Sequence, residues 1–399
     1  MWNIFKLINL FWLLTSTYIW VTALFNQGPI LIVVNALMLF CLTMMPIKIG
    51  FDMKSGMTFA AMLLIGLWSL WIDGPVMGLT TFLMFLPVMW LLQLPLEYKV
   101  DLLEFTTKWY AILLIPSIVT YWLSLFINLP SIGLFSHPNY PPFTNHVFFI
   151  KTTYDYGTFV RFNAFFLEPG HQALLSTFMM IANRFHFRKC PWLWVLLVCT
   201  IFSFSLAGYL LLALGYLLLQ INTPLKAILA GVLGAAAITV ALSWGRGENA
   251  FNELIITRLE QDESKGIKGN NRVDKTTSFL FAKMMKTPDK WMGVKEKTNM
   301  DMVMGAGFKI YIINYGLIGT LLALLFYLAV IPPHPNYRYT IAFLIVLILC
   351  FMQRAYPGWY SWLFPYVTGI YIAKGEKDGI SMTQLEHTDE TTTDSHPSI

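Results

Sequence analysis

Apolar runs of about 20 residues recur from one end of this chain to the other. A helix advances roughly 1.5 Å per residue, so each run is long enough to cross a hydrocarbon core about 30 Å thick. Hydrophobic residues make up 56% of the 399 positions and charged residues 12%. A soluble domain sits near half and a quarter, so this chain takes lipid as its solvent. The expected class is an all-α polytopic membrane protein with about a dozen spans.

The spans are predicted near 7–25, 29–47, 57–72, 75–94, 109–128, 169–183, 191–205, 208–220, 225–244, 307–330, 339–352 and 360–373. This gives helices 1–5 within 1–128, a first large loop at 129–168, helices 6–9 within 169–244, a second large loop at 245–305, helices 10–12 within 306–373, and a tail at 374–399. With Lys6 in the cytoplasm, the inside turns carry Lys48, Lys54, Lys99, Lys108, Arg184, Arg188, Lys189, Lys226, Arg338, Lys374 and Lys377. The short outside turns are nearly free of Lys and Arg, as the positive-inside rule requires. Both termini are then cytoplasmic and both large loops lie outside. The segment from Pro191 to Gln220 is long for one span and short for two. It is divided at Ser205 to Gly208; a single tilted helix there would reverse everything downstream and place Gly245 to Gly305 in the cytoplasm.

No A-x-A-like site follows the first apolar run, which is expected to remain as an anchor. The cysteines Cys41, Cys190, Cys199 and Cys350 show no metal or disulfide spacing and read as small buried hydrophobes. The net charge of +5 belongs to the turns between helices, and no basic helix suited to a nucleic-acid groove is present. Neither an acidic pair for a divalent metal nor a phosphate-binding glycine loop occurs, so no metal or cofactor is expected.

Function is expected on the large loops. In the first, Val147 to Tyr154 and Thr158 to Phe166 are rich in aromatic and β-branched residues around Asp155-Tyr156-Gly157, which predicts a hairpin. The second holds eleven basic and nine acidic residues and is expected to form short helices over the bundle. Beyond Lys374 the chain is polar, acidic and rich in Thr and Ser, too poor in apolar residues to fold.

The densest constellation of functional groups is Arg161-Phe162-Asn163-Ala164-Phe165-Phe166-Leu167-Glu168-Pro169-Gly170-His171. Proline opens a helix well, and the free N–H groups there attract anions. Glu168 is the candidate general base, and Arg161 is suited to a two-pronged phosphate contact. A structural reading has Glu168 capping the helix and pairing with Arg161. Arg246, Arg258 and Arg272 stand out in the second loop among residues whose plainer role is a solvated surface. Arg354, followed by Ala355-Tyr356-Pro357-Gly358-Trp359-Tyr360, is an ionisable group at a span end and a functional candidate on that ground. Its plainer role is snorkelling to headgroups within an aromatic belt.

The pattern from Arg161 to Glu168-Pro169 is similar to one in bacterial oligosaccharide repeat-unit polymerases, the Wzy-type O-antigen and capsule polymerases. Arg272, Thr287 to Gly293, Gly305 to Phe308 and Asn314 to Gly319 resemble the second large loop and following helix shared by these polymerases and O-antigen ligases. Ligases carry a histidine in that loop, whereas none occurs here between His186 and His334, which favours the polymerases. Leu206 stands where family members often carry a basic residue. The resemblance implies a GT-C-like fold in the bacterial inner membrane. It implies metal-independent, inverting transfer of a growing glycan from undecaprenyl pyrophosphate to a lipid-linked repeat unit, with a flippase and a chain-length regulator as partners. Glu168 would be the base, Arg161, Arg272, Arg354, Arg246 and Arg258 would hold diphosphates, and His171, Tyr154, Tyr156, Tyr356 and Trp359 would contact sugar. A ligase acting on lipid A core or protein would share fold and donor. A transporter or flippase would instead need charged or broken helices at mid-membrane.

Overall fold

The computed structural model describes residues 1–15, 27–131, 133–137, 140–146, 149–152, 161–166, 168–220, 225, 228, 257, 261–262, 266–267, 275–294 and 307–378. Its helices are α1 (Trp2–Thr15), α2 (Gln27–Thr43), α3 (Met53–Asp73), α4 (Pro75–Gln93), α5 (Leu96–Ser124), α6 (Pro169–Ala182), α7 (Trp192–Phe202), α8 (Leu206–Gln220), α9 (Lys275–Met284), α10 (Asp289–Met292), α11 (Gly307–Ala329), α12 (Tyr337–Gln353) and α13 (Tyr360–Lys377). Among the described residues four of them, α3, α4, α5 and α11, are long and apolar enough to cross a membrane. Leu64, Trp71, Leu321 and Leu325 on their outer faces are half exposed, which suits contact with lipid and would be costly in water. The protein is therefore a helical, membrane-embedded chain.

Two helices form the centre. All residues of α6 from Gly170 to Ala182 are buried, and α13 is buried along most of its length. α6 packs against α7, α8 and α13, while α13 also contacts α1, α4, α5 and α12. A helix enclosed on every side has no outward polar face, so its polar side chains must find partners inside. Tyr110 of α5 meets the Ser176 hydroxyl at 3.1 Å, and Asn183 donates to Thr107 Oγ1 at 3.0 Å.

The helices give the bundle two chemically different ends. At one, Lys6 pairs with Asp101, Arg184 pairs with Glu376, Arg338 donates to the Leu219 carbonyl and Lys377 to the Pro335 carbonyl. These cations all lie in turns assigned to the inside by charge. Glu168 and Arg354 lie at the other end, because α6 and α12 run antiparallel: Tyr339 near the start of α12 reaches the Ile181 carbonyl, and Arg354 past its end reaches Glu168.

Several expected boundaries move. α5 begins at Leu96, well before the predicted span at 109, because its charged first turns are tied down. Lys99 is buried, donating to the Leu92 carbonyl at 3.3 Å and to that of Leu94, and Asp101 holds Trp2 and Lys6. The segment 191–220 forms two helices, broken where Ser203 and Phe204 turn the chain and Phe204 takes a φ of 45°. α13 runs on to Lys377, past the predicted start of the tail, held by the Arg184–Glu376 pair. The rest of the tail, residues 379–399, and most of the predicted span at 225–244 lie outside the described residues.

The turn of the predicted hairpin, within residues 153–160, lies outside the described residues. Strands β1 (Gly133–His137), β2 (Tyr140–His146) and β3 (Phe149–Thr152) form an antiparallel meander, so β3 pairs with the segment before it. Residues 161–166 form no strand, and Phe162, Ala164 and Phe166 among them are inserted into the bundle and fully buried. Ala164 takes a φ of 51°, which breaks an extended run. Two short strands, β4 (Gln261–Asp262) and β5 (Gly266–Ile267), pair within the second large loop.

Candidate functional site

Helix α6 starts as its sequence suggests, with Pro169 in the first turn and Glu168 at the N-cap in extended conformation. The Glu168 side chain makes no capping hydrogen bond. Its carboxylate pairs instead with the Arg354 guanidinium, and His171 Nε2 lies 2.6 Å from Arg354 Nη1. Gly170 completes the arrangement. A Cβ at that position would lie 2.7 Å from Arg354 Nη2, so glycine leaves room for the guanidinium between Glu168 and His171, where any larger residue would make it shift. The four-residue motif Glu168-Pro169-Gly170-His171 is thus a receptor for one arginine from a segment more than 180 residues away.

Arg354 follows the last residue of α12 and is 7% exposed. Burial works against its charge, but the adjacent Glu168 carboxylate and the hydrogen bond between them raise its pKa above the usual guanidinium value. Its position is fixed from behind by α11. A Cβ at Gly307 would overlap the Ala355 nitrogen, the Gln353 carbonyl and the Arg354 Cα, so the start of α11 lies directly on this turn.

Arg354 and Glu168 line a cavity of about 370 Å³, within the ~300–1,000 Å³ range of small-molecule sites. α3 contributes Trp68 and Ser69, α4 contributes Thr80, Thr81 and Phe85, and α11 contributes Ile310, Tyr311, Asn314 and Tyr315. The turn from Gln353 to Trp359 closes one side. Tyr356 and Trp359 stack at 4.0 Å with an interplanar angle of 3°, and the edge of Trp359 meets His171 at 4.9 Å. Trp359 is buried while Tyr356 remains 42% exposed, so Tyr356 is the face available to a ligand.

The wall formed by α11 is a broken helix. Gly316 has φ 68° and ψ −175°, outside the helical region. The carbonyls released by the break are met by other segments: Val294 N–H donates to Ile313 at 2.8 Å, and the Trp68 indole donates to Tyr315 at 2.9 Å. Gly293, at φ 84°, lies against Asn314, and Gly316 lies against Trp291, so two glycine-bearing backbones are in direct contact. Irregular backbone at membrane depth is tolerated where it is enclosed by protein or lines a cavity, and both conditions hold here. α9 and α10, the described helices of the second large loop, pack on this half of α11 through Met284, Ile312 and Ile313.

The residues singled out in the sequence divide into three groups. Glu168, Arg354, Tyr356 and Trp359 come together on the cavity wall. His171, read as a sugar contact, is 1% exposed and stands behind the wall, where it orients Arg354. Arg161 donates through Nε and Nη2 to the carbonyls of Ser203 (3.1 Å) and Phe204 (2.9 Å), at the end of α7. Arginine at a helix C-terminus is favoured by the dipole, which accounts for the position without a phosphate. Tyr154, Tyr156, Arg246, Arg258 and Arg272 lie outside the described residues.

The capping role makes a prediction. Arg161→Ala is expected to lower stability by about 1–3 kcal/mol through loss of charged hydrogen bonds, read as a drop in melting temperature in detergent. Activity per folded molecule should persist; an unchanged melting temperature with activity lost would return Arg161 to a ligand-binding role.

No family model, characterised protein or solved structure matches the chain. Function is therefore argued from the site. Trp68, Tyr311 and Gln353 line the cavity beside Asn314 and Tyr315 and escaped sequence reading, because single aromatics and amides inside apolar runs resemble packing residues. Gly316 within Asn314-Tyr315-Gly316 was the available signal, since glycine inside a helical run marks a break or a close approach. Among the described residues no group of three or more His, Cys, Asp or Glu is placed to hold a metal ion.

Proposed function

We propose that the chain is a metal-independent glycosyltransferase that extends a glycan carried on an isoprenyl pyrophosphate, acting as a polymerase of lipid-linked repeat units. The observation that carries this reading is the Glu168–Arg354 pair on the wall of an aromatic cavity inside a membrane-embedded bundle. A carboxylate, a guanidinium and aromatic faces are the groups that a hydroxyl nucleophile, a diphosphate leaving group and sugar rings need. The about twelve spans, the GT-C-like arrangement, the bacterial inner membrane and the cytoplasmic termini belong to the same proposal. So do the flippase and chain-length regulator as partners.

In the reaction Glu168 takes the proton from an acceptor hydroxyl as its oxygen attacks the anomeric carbon. The bond from that carbon to the pyrophosphate oxygen breaks, and its electron pair leaves with the diphosphate. Protonation removes the negative charge that Arg354 was matching. Its positive charge is then free to stabilise the diphosphate at the moment charge develops there. His171 holds the guanidinium in place, with Trp359 packed on the His171 ring, so the site need not reorganise.

The test is purified protein incubated with a synthetic isoprenyl-pyrophosphate oligosaccharide, with products resolved by size. Wild type should give a ladder of longer glycans without added metal or partner protein. Glu168→Gln should abolish the ladder, a loss of at least ~100-fold, while membrane levels stay normal. Ladder formation at the normal rate by that variant would remove Glu168 as the base.

A further inference from the structure

Gln353 is the last residue of α12 and lines the cavity beside Arg354. Its backbone is held rigidly: the start of α11 presses on its carbonyl at Gly307, and Arg354 N–H closes the helix end on Cys350 O at 2.7 Å. Its side-chain oxygen is buried, yet it receives no hydrogen bond among the described residues. A buried acceptor without a donor is costly. Such a group in a cavity wall is accounted for when the donor arrives with a ligand.

The surroundings specify the donor's chemistry. Trp68, Tyr311 and Tyr356 contribute aromatic side chains to the lining, and Asn314 and Thr81 add uncharged polar groups. Flat apolar faces with neutral amides and hydroxyls suit a pyranose ring, whose C–H face packs on an aromatic while its edge carries hydroxyls. We infer that Gln353 is a specificity-determining residue that accepts a hydrogen bond from a ring hydroxyl of the sugar held in this cavity. The inference rests on the transferase reading for its biological setting, but sugar binding can be measured without transfer.

The experiment uses the full chain in lipid nanodiscs and hexyl glycosides of glucose, galactose, mannose and N-acetylglucosamine, with hexanol as the control for the alkyl tail. Quenching of tryptophan fluorescence reports occupancy, since Trp68 and Trp359 line the site. Wild type should bind at least one glycoside and not hexanol. Gln353→Met, similar in shape but without the acceptor, should weaken that glycoside about tenfold, the effect of losing one hydrogen bond. Deoxy analogues of the same sugar should include one that wild type and variant bind equally. The empty variant should melt no lower than wild type, because an unmatched buried acceptor has been removed. Unchanged glycoside affinity in Gln353→Met, a lowered melting temperature, or no binding of any glycoside by wild type would each overturn the inference. Absence of glycan ladders would count against the transferase reading alone, because the binding assay contains no pyrophosphate donor.

Discussion

Arg354→Leu is expected to abolish glycan extension and to destabilise the bundle by about 3 kcal/mol, the lower part of the range for breaking a buried ion pair. The lower part applies because the Glu168 side chain is 28% exposed and can recruit water. The activity loss should be at least ~100-fold, since in the proposed reaction the guanidinium is the charge aimed at the leaving group. Arg354→Lys should recover part of the stability but little activity. A lysine is a point charge on a flexible stem, and it cannot bridge Glu168 and His171 in the fixed fork geometry of arginine. The double variant Glu168→Leu Arg354→Leu should melt higher than Arg354→Leu, because no charge is left unmatched, and should remain inactive. Melting curves and ladder assays on these three variants separate the two roles. Full extension activity in Arg354→Leu would remove this arginine from the chemistry.

Gly316→Ala is expected to cost the protein several kcal/mol, seen as a large fall in melting temperature in detergent. Two effects add. The conformation at φ 68° and ψ −175° belongs to glycine and costs any other residue about 1–3 kcal/mol. A Cβ there would also overlap the Trp291 carbonyl and the Met292 nitrogen, which are backbone atoms and cannot swing aside. Relief requires α10 to leave α11, which would expose the Ile313 carbonyl. Gly50→Ala serves as the control: nothing lies within 4 Å of its Cβ position, so its effect should stay within about 0.5 kcal/mol. Equal melting temperatures for Gly316→Ala and wild type would mean that α11 is not broken at this glycine.

The ion pair explains why the motif around Glu168 was readable only in part. Pro169 announced a helix start and Glu168 a carboxylate at its positive end, both from local rules. The nearest arginine in the sequence, Arg161, was the natural partner to choose, yet it turns to the carbonyls ending α7. Sequence proximity misled because the segment between them is not extended: Phe162 and Phe166 are drawn into the bundle, and Ala164 reverses the chain. Gly170 was passed over because its role is to leave room for a guanidinium from elsewhere, a requirement that no local pattern records.

Residue order alone settled that apolar helices dominate and that the cations of the connecting turns gather at one end, because transfer from water to lipid is a property of each segment by itself. It also marked Glu168 and Arg354 as unusual, since charge beside an apolar run is costly wherever the run goes. Which arginine meets the carboxylate, where α11 breaks and what lines the cavity depended on packing between separate segments of the chain. Those contacts are set by shape and hydrogen-bond satisfaction among whole helices, and local periodicity carries no information about them.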